Sequence, residues 1–227
     1  MMNSKKHKIA VFDFDGTLIN AQSGTEFAKF LFFHHYIGAW TVTRIIWWGL
    51  RYTLHLPHDQ NAVRKIFIKG LSKRYTKDEV WEMMQDFHTE RLKRRYRALG
   101  LKKVKEMKEK GYTCLLASAT FEGVAHAACT YAGLDAYVAT KLEENEFGHY
   151  TGGVVGDVVE GPGKLAAIIA WADKTYGPHA WEIEYAFGDH HSDRELLGAA
   201  HHPVAVNPGQ VLKKTAKKYG WPIVAWR

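Results

Sequence analysis

Cysteine is nearly absent from this 227-residue chain: there are two, Cys114 and Cys129. Two thiols cannot build a disulfide scaffold or a cysteine-based zinc site, so ordinary hydrophobic burial must hold the fold. The composition, 46% hydrophobic and 24% charged, excludes global disorder and leaves enough apolar material for a sizeable core. A secretory leader is not visible, because the apolar stretch at residues 9–12 stops at Asp13 and such a core needs about 7–15 residues. Nor is there a long uncharged run. The longest in the aromatic stretch 27–56 is residues 30–43, 14 residues. As a helix it would cover about 21 Å, short of a hydrocarbon core about 30 Å thick. These absences lead to the expectation of a cytoplasmic protein, with contact at a membrane surface left open. No internal repeat is found.

Negative charge is also in deficit, with 24 Asp and Glu against 31 Lys and Arg, a net charge of +7. The excess is local. Between Arg64 and Lys110 stand 16 basic and 7 acidic residues, so the rest of the chain is slightly acidic. Such a block is a solvated set of helix faces, or a surface for an anionic substrate, acidic lipid or nucleic acid. No recognition motif supports nucleic acid, and none is expected as a partner.

Along the chain, residues 8–14 read as a buried parallel strand. Residues 22–96 read as helical, with a turn at Pro57 and a helix start at Thr76, whose partner three residues on is Glu79. Strands and helices then alternate: a helix over 101–110, a strand over 112–117, a helix over 121–132 and a strand over 136–140. A hairpin over 147–159, a helix over 163–176, a strand over 183–187, a helix over 193–200 and a strand over 203–206 follow. This order predicts an α/β fold, a Rossmann-like three-layer core around a parallel sheet, with a helical block inserted after the first strand.

Ligands of open α/β sheets bind at the carboxyl ends of strands. Three such ends carry polar residues: Asp13 with Asp15, then Ser118, then Asp189 with Asp193; Lys164 opens a helix after a Gly-Pro-Gly stretch. Crowded carboxylates repel unless a hard cation such as Mg²⁺ neutralises them. A phosphate ester beside that ion would draw donors from Lys164 and Ser118, one carboxylate can attack phosphorus, and a second can move the proton. Any one of these residues alone reads as a cap, a turn former or a surface charge; their ordered combination does not. The histidine pairs 34–35, 190–191 and 201–202 diverge on a helix or strand and make poor chelates.

The run Asp-Phe-Asp-Gly-Thr-Leu at 13–18 resembles the first motif of the haloacid dehalogenase superfamily of phosphohydrolases. The strand ending in Ser118, then Lys164, then Gly188-Asp189 with Asp193 resemble its other three motifs, in order. Residues 204–208 and 220–222 resemble the phosphoserine-phosphatase-like branch, subfamily IB. The resemblance implies a catalytic core over 1–20 and 98–227 and a helical cap over 21–97. It implies Asp13 as nucleophile and Asp15 as general acid/base, with Asp13, the Asp15 carbonyl and Asp189 holding Mg²⁺. Ser118 and Lys164 would bind the phosphoryl group, Ser192 would touch it, and Asp193 would orient Lys164, with Thr17 and Gly188 in support. The implied activity is a phosphomonoesterase acting on a small phosphorylated metabolite. Phosphoserine phosphatases of the branch carry a glutamate where this chain has Gln22; Glu26, one helical turn on, is the candidate replacement.

The aromatic stretch allows two readings. In one, Phe27, Phe30, Leu31, Trp40, Ile45, Trp47, Trp48 and Leu50 pack the core of the cap. In the other they form an apolar face for a membrane, as in relatives that dephosphorylate phosphatidylglycerophosphate, with the basic block as a lid over the phosphate site and acidic headgroups near it.

Overall fold

The computed structural model describes residues 6–38, 40, 41, 43, 47 and 68–227. Six strands form one parallel sheet in the order β3-β2-β1-β6-β7-β8. They are β1 (His7–Phe12), β2 (Thr113–Phe121), β3 (Ala136–Thr140), β6 (Trp181–Gly188), β7 (His202–Val206) and β8 (Ile223–Val224). A separate antiparallel hairpin pairs β4 (Leu142–Glu144) with β5 (Tyr150–Val154). It begins five residues earlier than the glycines suggested, because Gly148 lies in the turn between the strands and the others fall in β5 and the loop after it.

The alternation of side chains along the inner strands builds two cores, one on each face. Ile9 and Val11 of β1, with Leu115 and Ala117 of β2, face α5 (Pro162–Tyr176), α6 (Arg194–Ala199) and α7 (Gln210–Tyr219). Ala10 and Phe12, with Cys114 and Leu116, face α3 (Ala98–Glu109) and α4 (Glu122–Ala132). That second core continues into α1 (Ser23–Phe33) and α2 (Lys77–Phe87) through Phe27, Phe30, Val80, Met84 and Phe87. The three-layer arrangement expected from the alternating pattern is therefore present.

The segment between β1 and β2 leaves and re-enters the sheet side by side. Ile19 bridges Tyr96, the Asn20 N–H donates to the Arg95 carbonyl at 2.8 Å, and the Arg97 N–H donates to the Leu18 carbonyl at 2.9 Å. Thr76 caps α2 reciprocally with Glu79, the expected start. The helix ends in a π turn (His88–Leu92) and a 3₁₀ turn (Lys93–Arg95), so it is not regular to residue 96. Gly123 lets α2 lie close on α4: a Cβ there would stand 2.7 Å from the Met84 sulfur. The hairpin also reaches this segment, through the Lys77–Glu144 ion pair at 3.0 Å and the His149 ring against the Tyr75 carbonyl.

Phe27, Phe30 and Leu31 are buried as the packing reading requires. Trp40 and Trp47 are not: they are 77% and 61% exposed, and Phe33 is 61% exposed. Ile45, Trp48 and Leu50 lie outside the described residues.

Candidate active site

The strand order reverses at β1, whose neighbours β2 and β6 continue the chain in opposite directions. A crevice opens at such a switch point, beyond the carboxyl ends of the strands. Here it is a cavity of about 320 Å³ lined by Asp13, Asp15, Gln22, Ser118, Ala119, Glu160, Lys164, Asp189, His190, Ser192 and Asp193. The end of β1 supplies Asp13 and Asp15, β2 supplies Ser118, the start of α5 supplies Lys164, and the turn after β6 supplies Asp189 to Asp193.

Lys164 is at the floor. Its ammonium donates to Asp13 Oδ1 at 2.7 Å and to Asp193 Oδ1 at 2.6 Å, and all three residues are buried. Burial disfavours the charge on Lys164, but Asp13 and Asp193 more than offset it, so the amine is held above its ordinary value. Burial pushes the Asp13 carboxyl well above the usual carboxylate range, against the pull of Lys164, with Asp193 and Asp189 adding repulsion. Burial, then repulsion from Asp193, raises Asp189 to about 7.

Asp15 has a different setting. The Ser23 N–H donates to Oδ1 and the Ser23 hydroxyl to Oδ2, each at 2.7 Å, and that hydroxyl lies 3.1 Å from the Thr120 hydroxyl. Burial raises the Asp15 carboxyl to about 6, while the two Ser23 bonds pull it down. Ser23, the first residue of α1, was not among the residues singled out by sequence. Its position eight residues after Asp15 carries no local pattern, and the contact forms only because α1 turns back over the end of β1. Glu160 was also missed, for it stands alone between a valine and a glycine.

Ser118 is buried, and its oxygen accepts the Thr120 N–H at 3.1 Å. Ser192 is 3.0 Å from the His190 ring, whose Nε2 faces His191 Nδ1 at 3.0 Å. His201 and His202 face Glu182 and Glu184 instead, and His34 faces Glu90. Gln22 lines the cavity, whereas Glu26 does not and pairs with Lys29 at 2.7 Å. Thr17 is fully buried, with no partner for its hydroxyl among the described residues. Gly188 brings the chain against Asp193, since a Cβ there would lie 2.7 Å from Asp193 Oδ2. Cys114 lies in β2, and burial pushes its thiol up to about 12, away from reactivity.

A hard divalent ion fits this donor set. Carboxylate oxygens of Asp13, Asp189 and Asp193 lie within 4.8 Å of one another, all the donors are oxygen, and the raised carboxyls carry like-charge repulsion that a cation would relieve. Gly16 keeps the approach open, for any side chain there would collide with the Asp189 carboxylate.

A parallel sheet with carboxylates, a buried lysine and a hydroxyl at its switch point is the arrangement of an α/β enzyme. The family model for haloacid dehalogenase-like hydrolases matches residues 10–198, and the chain belongs to that family of enzymes. It is 28% identical over 220 residues to a histidinol-phosphatase of Neisseria meningitidis, covering 96% of this chain and 99% of that one. It is 26% identical over 225 residues to a phosphoserine phosphatase of Mycobacterium tuberculosis, covering 96% and 70%. Among solved structures, a protein of unknown function from Bordetella pertussis superposes with a TM-score of 0.85 at 23% identity, covering 96% of this chain and 98% of that one. A phospho-aspartyl intermediate analogue of phosphoserine phosphatase has a TM-score of 0.62 at 23% identity, covering 96% and 93%. No helix among the described residues is long and apolar enough to cross a membrane.

Proposed function

We propose that this enzyme is a Mg²⁺-dependent phosphomonoesterase that works through a phosphorylated Asp13. The observation that carries the reading is the pair of unlike aspartates two residues apart: Asp13 against the Lys164 ammonium, and Asp15 clamped by Ser23. An Asp13 oxygen attacks phosphorus as the P–O bond to the substrate alcohol breaks. Asp15, whose carboxyl near 6 lets it hold a proton close to neutral pH, gives that proton to the departing oxygen. Asp15 then takes a proton from the water that attacks phosphorus, and phosphate leaves with Asp13 restored. Lys164 and the Ser118 hydroxyl donate to the phosphoryl oxygens, with Ser192 at the rim. Asp193 holds Lys164 in place. Mg²⁺, when bound by Asp13, the Asp15 carbonyl and Asp189, supplies charge neutralisation for the carboxylates and the phosphoryl group.

On this reading residues 21–97 act as a cap on a core formed by 1–20 and 98–227, and Gln22 presents the cap to the substrate. The substrate class is a small phosphorylated amino alcohol or amino acid. Histidinol phosphate and phosphoserine, the substrates in the relatives' names, share an amine, and Glu160 offers a carboxylate at the cavity wall. Asp13→Asn, assayed with an aryl phosphate and Mg²⁺, should lose turnover by about 10³-fold or more. Wild-type turnover in that variant would end the proposal. A screen of phosphorylated metabolites should rank amine-bearing phosphates first.

A second reading is that the enzyme acts on lipid phosphates at a membrane surface. It rests on the exposure of Phe33, Trp40 and Trp47 together. Flotation with anionic liposomes tests it: protein left at the bottom of the gradient removes this reading.

A further inference from the structure

The catalytic cavity does not use the basic block. No lysine or arginine of residues 64–110 is among the residues that line it, so the expected basic lid over the phosphate site is not there among the described residues. Most of the lysines of the block that are described stand beside carboxylates: Lys103 and Lys110 with Glu106, Lys105 with Glu109, Lys108 with Asp135 and Lys77 with Glu144. Its arginines behave differently. Arg94, Arg95 and Arg97 join Arg227, Asn20 and Tyr96 around a second cavity of about 390 Å³. Among the described residues no carboxylate pairs with any of these four arginines.

The cavity lies where the two linkers of the helical segment run together, beside Asn20 on the way out and Arg95 to Arg97 on the way back. Arg97 is fixed there: Nη1 donates to the Trp226 carbonyl at 2.9 Å and Nη2 to Asn20 Oδ1 at 3.1 Å. Its Nε is buried without a partner among the described residues. Among the described residues Arg94 donates only to the Glu90 carbonyl, at 2.8 Å, and Arg95 is exposed. Four arginines line one cavity, no side-chain carboxylate pairs with them among the described residues, and their planar forks match phosphate oxygens two at a time.

We propose that this cavity is a binding site for a small soluble compound bearing two or more phosphoryl groups, separate from the catalytic cavity. One phosphoryl group would satisfy only part of so many donors, whereas a chain of them can meet Arg94, Arg95 and Arg227 together. Because the lining residues belong to both linkers, the bound anion would tie the two strands of the hinge to each other and to the carboxyl-terminal segment. The proposal stands or falls independently of the chemistry assigned to Asp13.

The test is isothermal titration of the full chain with inorganic tripolyphosphate, in EDTA and at fixed ionic strength. Saturable binding to one site is expected, about tenfold or more tighter than that of orthophosphate. The double variant Arg94→Gln/Arg95→Gln should weaken tripolyphosphate by about tenfold or more, and phosphatase turnover should persist. The control Lys213→Gln/Lys214→Gln removes the same charge from the exposed face of α7 and should bind within about twofold of wild type. If the double variant fails to fold, Arg95→Gln alone takes its place, since that residue is exposed. Absence of saturable binding overturns the proposal. So does wild-type affinity in the arginine variants, or an equal loss in the lysine control.

Discussion

Replacing Asp189 by asparagine should make the metal-free protein more stable while destroying its response to Mg²⁺. Burial and repulsion from Asp193 raise the Asp189 carboxyl from 3.8 to about 7. Between those values the folded chain holds a proton that the unfolded chain has released, so folding stability from this group is full below pH 3.8 and falls as pH rises through 7. At about 1.4 kcal/mol per pKa unit, Asp189 costs the metal-free fold about 2 kcal/mol at pH 5, where the fold keeps it protonated, and about 4 kcal/mol at pH 8, where it is ionised, as upper values. Asparagine keeps the shape and removes the cost. For a chain of this size 1 kcal/mol moves Tm by roughly 2–4 °C. Melting curves in EDTA should therefore show Asp189→Asn above wild type, with the gap widening by roughly 4–8 °C from pH 5 to pH 8. Taking the difference between the two proteins cancels the titrating groups that do not interact with Asp189. Adding Mg²⁺ should raise wild type and leave the variant where it was. A variant that melts below wild type at pH 8 in EDTA, or a gap that closes as pH rises, would refute the claim that Asp189 is a strained carboxylate kept for a cation.

Ser23→Ala should lower kcat by about tenfold with KM little changed, and should move the Asp15 limb of the pH profile upward, because the lost hydroxyl favoured the ionised carboxylate. An unshifted profile would separate Ser23 from the acid/base step. Gly16→Ala should cost about 2 kcal/mol or more and abolish Mg²⁺ activation, since φ is 77° and the Cβ meets the Asp189 carboxylate; melting curves with and without Mg²⁺ read both effects. Burial lowers the His88 ring to about 4 from 6.5, where it meets the Tyr96 hydroxyl at 2.9 Å. Its neutral form favours the fold above pH 6.5, and about 2 kcal/mol of that is lost as pH falls to 4, allowing for partial solvent access. Urea titrations of wild type and His88→Gln should diverge over that window alone.

The sheet was legible because its strands are short apolar runs closed by turn residues. The 136–140 strand has the bounds expected, and β1, β6 and β7 lie within two residues of theirs. Where the reading drifted, tertiary contacts decided. β2 runs on through Ser118 to Phe121, with a register shift that lets Phe121 pair with Thr140, so Ser118 lies inside a strand rather than after it. Helix α7 and strand β8 went unassigned. The helix is a polar ten-residue run with only Leu212 and Ala216 buried, and the strand is two residues long, so neither carries enough periodic apolar residues to stand out. Trp40 and Trp47 illustrate the opposite error: aromatic identity suggested burial, and identity alone does not say which way a side chain faces.

The site was legible residue by residue only where a strand end exposed it. Asp13, Lys164, Asp189 and Asp193 each follow or open a regular element, and Ser118 lies near the carboxyl end of β2, so their convergence follows from the parallel topology. Ser23 does not, and its role explains a feature of the architecture. The inserted segment starts two residues before α1 and places at the first position of that helix the only side chain whose hydroxyl holds Asp15 among the described residues. That hydroxyl also reaches Thr120, on the end of β2. The inserted segment thus sets the geometry of Asp15 and, through Gln22, lines the cavity. Any shift of α1 relative to β2 must stretch one of two short contacts, either the 2.7 Å bond to Asp15 or the 3.1 Å contact to Thr120. On the proposed mechanism, proton transfer by Asp15 is then linked to the position of the helical segment, whose two linkers border the cavity lined by Arg94, Arg95 and Arg97.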